Sequence, residues 1–304
     1  MKVAHGFSFL LLLLSLGTAG CDRTAKDSGP HYLSARPPAQ GLVYVFAVHP
    51  LYNPKKLHTS YQPMVDYLNR RLSGARLELE ASRDYGHFEG KIQARSPHLL
   101  LPNPWQTLQA MKVGYGVIAQ AGDPEDFKGI FIIRNDSGLK IPSDLKGKAV
   151  SYPSPTALAA CIMPQYFLHQ HGININTELT NRYVGSQESS IMNVALRQTV
   201  AGATWPPPWR AFQKDHPREA SELKVIWETP CLINNSVMVR EDVPPALLEE
   251  IRTALVHLHE SKEGRALLAG METRRFHPAS DRDYDVVRSY VARFEKIVRP
   301  VKGP

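Results

Sequence analysis

The sequence predicts an α/β protein of two lobes, each a mixed sheet flanked by helices, with a ligand cleft between them. Three observations carry that reading. Short apolar runs of strand type alternate with segments of helical spacing, as in a sheet covered by helices. The alternation runs once from Leu42 to Ala119 and restarts near Ser143. Two longer strand-like segments, FKGIFIIR (127–134) and NSVMV (235–239), stand where the chain leaves one unit and returns to it.

LVYVFAV (42–48) reads as a strand buried on both faces. Tyr61, Met64, Val65, Leu68 and Leu72 then recur at helical spacing, and Gly74 closes that helix. A strand over 77–80, a helix over 84–94, a strand over 98–101, a helix over 104–113 and a strand over 117–119 complete the first round. After the strand 127–134, Ser143-Asp144-Leu145 turns the chain, and Lys148 to Ser151 forms a strand. Thr156 to His171 reads as a helix interrupted by Pro164, with Ser154 as its cap and Pro155 at its first position, where no N–H is needed. A strand at Tyr183-Val184 follows, then a helix over 188–198 with Ile191, Met192, Ala195 and Leu196 inward. The second round ends with a strand over 201–204, a helix over 209–214 and a strand over 223–227. Three helices, 245–259, 262–268 and 284–298, close the chain.

The first residues read as a targeting segment. Lys2 supplies a positive start, Phe7 to Leu16 is a short apolar core, and Gly17-Thr18-Ala19-Gly20 leads into Cys21. The run is short for a bilayer span, and small residues directly before a cysteine resemble a bacterial lipoprotein signal. Cys21 is then the lipidation site, with ordinary cleavage near Ala19 as the other reading. Residues 22–40 are polar, with three prolines, and read as a tether. The expected organisation is a signal peptide over 1–20, a tether over 21–40, a first lobe from 41–138 and 233–304, and a second lobe over 139–232.

The chain has a formal charge of +7. Its basic residues are scattered and form no stripe interleaved with aromatics, which argues against nucleic acid. Cys161 and Cys231 remain for a disulfide or for two separate thiols. No CxxC or HxxxH pair suggests a metal, and no nucleophile–base pair or nucleotide loop suggests catalysis or a cofactor.

VHPLYNPKKLHTSYQPMVDYLNRRL, HLLLPNPWQTL and GIFIIRNDSGLKIPSDLKGKAVSY, in that order, resemble the phosphonate/phosphite/phosphate-binding components of ABC importers. The resemblance runs from about Val43 to the C-terminal helices. It implies a type II periplasmic-binding-protein fold whose lobes close on a ligand by hinge motion. It also implies an exported solute-binding lipoprotein, acting as a monomer, that binds a small anion and delivers it to a membrane permease. A sensor signalling to a membrane receptor or histidine kinase is the alternative on the same scaffold.

In that family a Ser-Thr-Ser-Gly turn opening a second-lobe helix grips the anion; the matching stretch here is SPTALAA (154–160). Ser154, Thr156 and the backbone at Ala157 are its expected ligands. Tyr52 falls in the first-lobe loop, Trp105 after the third strand, and Gln187 where the family often has histidine. Where the family shows an acidic residue that meets a ligand's amino group, this chain reads ATWPPPWR (203–210), which disfavours aminoalkyl phosphonates. Trp205 either walls the pocket or packs beneath the proline turn; Trp209 is expected to pack.

Overall fold

A computed structural model of the chain describes residues 41–303. The segments read as signal peptide, lipidated Cys21 and tether lie outside the described residues. In chain order the first elements are β1 (Leu42–Val48), α1 (Pro54–Asn69), β2 (Ala75–Glu80), α2 (Tyr85–Gln93), β3 (Leu99–Leu101), α3 (Pro104–Met111) and β4 (Tyr115–Ala121). Then come β5 (Ile130–Arg134), β6 (Ala149–Tyr152), a π turn (Leu158–Ile162) continuous with α4 (Met163–Gln170), β7 (Thr180–Tyr183), α5 (Gln187–Ala195) and β8 (Ala201–Thr204). The remainder is α6 (Pro206–Asp215), α7 (Pro217–Ser221), β9 (Leu223–Glu228), β10 (Asn235–Arg240), α8 (Pro245–Val256), α9 (Lys262–Gly270), β11 (Phe276–Pro278) and α10 (Asp285–Ile297).

The strands form two sheets, β2-β1-β3-β10-β4-β11 and β7-β6-β8-β5-β9. Each is built on the same plan. A central strand (β1 or β6) pairs in parallel on both sides, and one antiparallel strand (β10 or β5) follows the third. FKGIFIIR and NSVMV, the two strand-like segments at the crossings, supply these antiparallel strands. The loops that follow β1, β3 and β8 carry His49, Asn103 and Trp205, which line the cleft at the C-terminal ends of parallel strands, the usual ligand position in open α/β sheets. Helices start there and are capped locally. Asn53, Asp84 and Ser186 each accept a first-turn N–H, and Asn103 with Gln106 forms a reciprocal capping box.

Several expectations are corrected. β5 lies between β8 and β9, so the second sheet begins at Ile130 and the boundary falls in 122–129 rather than after 138. Strand pattern alone does not say which sheet takes a strand. The chain leaves the first sheet at Gly122 (φ +91), where a Cβ would lie 2.8 Å from the Asn234 side chain of the returning crossover. The helix after β6 starts at Leu158, not at Thr156, because Ser154 Oγ turns onto its own loop. The three prolines of 206–208 form the first turn of α6 instead of a turn before it. Leu196 is exposed, and Val194 takes its inward place. β11 and α7 carry too short a pattern to be expected.

Cys161 is buried and Cys231 exposed, as two free thiols. No helix among the described residues is long and apolar enough to cross a membrane. α10 bridges the lobes. It packs on α3 of the first lobe, while Tyr290 and Phe294 meet Tyr166 of α4 edge to face. Beyond it, Arg299 donates to Pro155 O at 2.8 Å and to Gln165 Oε1 at 2.7 Å.

Candidate functional site

The lobes meet around two small cavities separated by Trp205 and Asn235, which line both. The first opens onto the start of the π turn. Ala157, Leu158, Ala159 and Ala160 form its second-lobe wall with Gln187 and Trp205; His49, Tyr85 and Asn103 face them from the first lobe, with Phe127 at the crossover. None of these residues is Lys, Arg, Asp or Glu. The cavity measures about 10 Å3, room for about one water molecule.

Its chemistry begins with Pro164. A proline inside a helix cannot donate to the carbonyl four residues back, and its ring crowds that carbonyl. The turn before it widens to π geometry, the common relief for such a crowding. Ile162 N therefore bonds to Ala157 O, five residues back, at 3.1 Å. The helix gives no partner to the N–H groups of Leu158, Ala159, Ala160 and Cys161; in a regular α-helix Cys161 would already be bonded. These amides and the positive end of the helix dipole suit an anion. Gly129 makes the arrangement fit, because a Cβ there would stand 2.6 Å from Ala159 O and 2.8 Å from the Pro164 ring.

Opposite, His49 is wholly buried and its Nδ1 lies 2.9 Å from Leu101 O. Burial lowers its pKa to about 4, so the ring is neutral, Nδ1 carries the proton, and Nε2 is an acceptor. Gln187 Nε2 donates to Tyr85 Oη at 3.1 Å, and Thr204 Oγ1 donates to Gln187 Oε1 at 2.8 Å. The Tyr85 O–H is left free to donate into the cleft. Burial raises the Tyr85 pKa, so it stays protonated.

The predicted site residues divide. Ala157, Gln187 and Trp205 line the amide cavity. Thr156 does not: its hydroxyl donates to Glu89 Oε1 of α2 at 2.6 Å, and Ser154 Oγ lies 2.9 Å from it. Gln106 Nε2 also donates to Glu89. Of the two hydroxyls read as anion ligands, that of Thr156 is thus engaged by an internal carboxylate, whose pKa burial raises, and that of Ser154 by Thr156. Trp105 is buried in the first turn of α3, with its backbone N–H on Asn103. Tyr52 is buried beside the second cavity's groups, with Lys56 Nζ 4.8 Å over its ring. Trp209 stacks on Phe212, the packing role expected. His49, Tyr85 and Asn103 went unread, though each directly follows or opens the segment after a parallel strand.

The second cavity, also about 10 Å3, has Asp126 and Glu272 in its wall. Arg210 binds Asp126 at 2.9 Å and Glu272 at 3.2 Å, and Lys214 also pairs with Glu272. These pairs and Lys56 with Asp215 tie α6 of the second lobe to the first.

A family model described as the periplasmic substrate-binding protein of an ABC phosphonate transporter matches residues 46–284. The chain belongs to that family. A probable phosphite-binding protein of an ABC transporter from Prochlorococcus marinus is 24% identical over 194 residues, 60% of this chain and 65% of that protein. A phosphate-import protein from Mycolicibacterium smegmatis is 23% identical over 270 residues, 80% of this chain and 83% of that protein. The solved structure of the Prochlorococcus marinus protein PhnD1 with methylphosphonate superposes with a TM-score of 0.76 at 20% identity, over 84% of this chain and 99% of that one. A binding-protein component of a Pseudomonas aeruginosa ABC phosphonate transporter gives 0.76 at 15% identity, over 84% and 88%. The fold is the type II periplasmic-binding-protein fold, as the sequence led us to expect. Members of the phosphonate-binding family are extracytoplasmic, non-catalytic components of importers.

Proposed function

We propose that this protein binds a phosphorus oxyanion, namely phosphate, phosphite or a small phosphonate, in the amide cavity and hands it to an ABC permease. The observation that carries the reading is the row of unpartnered helix N–H groups from Leu158 to Cys161, opening into an uncharged cavity between lobes. Neutral donors suit the task, since an anion held by several amides needs no counter-ion beside it. Ala157, Gln187 and Trp205 are its second-lobe residues and Tyr85 and Asn103 its first-lobe ones; Ser154 and Thr156 shape the loop. A cavity of about 10 Å3 is smaller than such an ion, so the lobes part for entry and close less tightly around it. Attachment to the membrane through a lipidated Cys21 and action as a monomer complete the proposal.

Thermal unfolding of residues 22–304 tests it, against phosphate, phosphite, methylphosphonate, sulfate and an amino-acid mixture. A ligand at a hundred times its Kd adds about 2.7 kcal/mol, a clear rise in Tm. A rise with a phosphorus oxyanion and none with amino acids is the expected result. The reverse would overturn the ligand class.

A further inference from the structure

Asn235 stands in the partition between the two cavities, 3% exposed, and its Oδ1 is buried without a hydrogen-bond partner. An unpaired buried acceptor is costly, and native structures rarely keep one without a reason. A fully ionised oxyanion offers only acceptors, so it would leave this atom unpaired and set lone pairs against lone pairs. His49 adds to the demand. Its Nδ1–H is taken by Leu101 O, and its neutral Nε2 is a second acceptor in the wall of the amide cavity. Donors face them: the helix amides and the Tyr85 O–H. The wall holds no Lys or Arg, and the Glu89 carboxylate sits behind Thr156. A second negative charge on the ligand would be desolvated there without a cation to offset it.

Resting on the function proposed above, we propose that the cleft takes its oxyanion in the singly protonated, monoanionic form, with the ligand's own O–H donated to the acceptor pair Asn235 Oδ1 and His49 Nε2. The site is complementary to an ion with several acceptors and one donor. Other titratable groups surround it. Tyr85 is in the wall, Glu89 lies behind the loop, and Cys161 lies within the π turn, with Arg299 against its sulfur. Asp126, Glu272 and Tyr61 line the second cavity across Asn235, with Arg210 on both carboxylates. A pH dependence arising from any of them would be the same for every ligand. One arising from the ligand's proton moves with the ligand.

Calorimetric titration of the chain from residue 22 with phosphite and with methylphosphonate, over a pH series, separates the two. These ligands lose their second proton at different pH. The expected result is an affinity that is level below each ligand's own second ionisation and falls about tenfold per pH unit above it. In that upper range each binding event takes up one proton, seen as a binding heat that varies with buffer. Sulfate, fully ionised throughout, binds about a hundredfold more weakly. Asn235→Leu reduces the preference for the low-pH form, with its Tm checked for folding; if it does not fold, the wild-type series decides alone. An affinity unchanged or rising through the ligand's ionisation overturns the proposal, as does one break point common to both ligands. Binding of neither ligand at any pH overturns the phosphorus-oxyanion reading and this proposal with it, whereas a wrong pH dependence leaves that reading standing.

Discussion

The two cavities either side of Trp205 and Asn235 are alike in size and opposite in chemistry. One is walled by backbone amides, alanines and neutral polar side chains. The other carries Asp126 and Glu272, held by Arg210 and Lys214. The comparison teaches where the net charge of +7 does not act. Guanidinium and ammonium groups are spent on carboxylates around the second cavity, and the cavity proposed for the anion offers dipoles instead. A neutral wall of fixed donors discriminates by geometry, whereas a cluster of cations would attract any anion of the right charge.

The change that breaks the comparison most severely is removal of the partition. Trp205 is 5% exposed and meets Phe127 edge to face with centroids 5.4 Å apart. Trp205→Ala should merge the cavities and cost about 3–5 kcal/mol of stability. Chemical denaturation and a ligand titration together check it; a stable variant with unchanged affinity removes Trp205 from the site.

The pH dependence of stability sharpens the neutral side. His49 titrates at about 4 in the folded chain against about 6.5 unfolded. The unfolded state therefore binds more protons between those values. Its contribution is complete above about pH 6.5 and is lost as pH falls toward 4, about 3 kcal/mol in all. Denaturant midpoints of wild type and His49→Gln should converge on acidification over that window. Parallel curves would show that the ring is not held neutral.

Pro164→Ala tests the helix start itself. With an N–H restored, the turn can close as regular α-helix and Cys161 N–H is taken up by Ala157 O. Anion affinity should fall about threefold to tenfold, the worth of one hydrogen bond, while Tm holds or rises. The smallest effect is expected from Glu89→Gln, which keeps an acceptor for Thr156 and removes a negative charge near the cavity. Affinity for anions should rise about twofold to fivefold, and a fall would mean the carboxylate positions the loop by its charge.

Much of the fold was legible because long apolar runs and helical spacing survive without context. β1, β8 and α10 are found within a residue or two of where pattern placed them, whereas α1 starts at Pro54, a full two turns before the periodic run that begins at Tyr61, because its first turns are polar. The sheet membership of β5 was not, since an apolar strand of its type fits either lobe. The site divides similarly. Trp205 was legible as the residue after a strand, Gln187 only through the family resemblance, and SPTALAA as a loop that opens a helix. The fate of the Thr156 hydroxyl was hidden, because its partner Glu89 comes from another lobe 67 residues earlier. The π turn was hidden too, although Pro164 was in plain view: an interior proline announces strain but not which bond gives way.

The tail beyond α10 gives the molecule an external reporter. Arg299 reaches across to the loop that starts the amide row, and Lys302, three residues on, is exposed. An environment-sensitive dye carried at Lys302 would feel the loop move without entering the cleft. Its emission would then follow ligand capture in real time, and turn a transport component into an optical sensor for its own cargo.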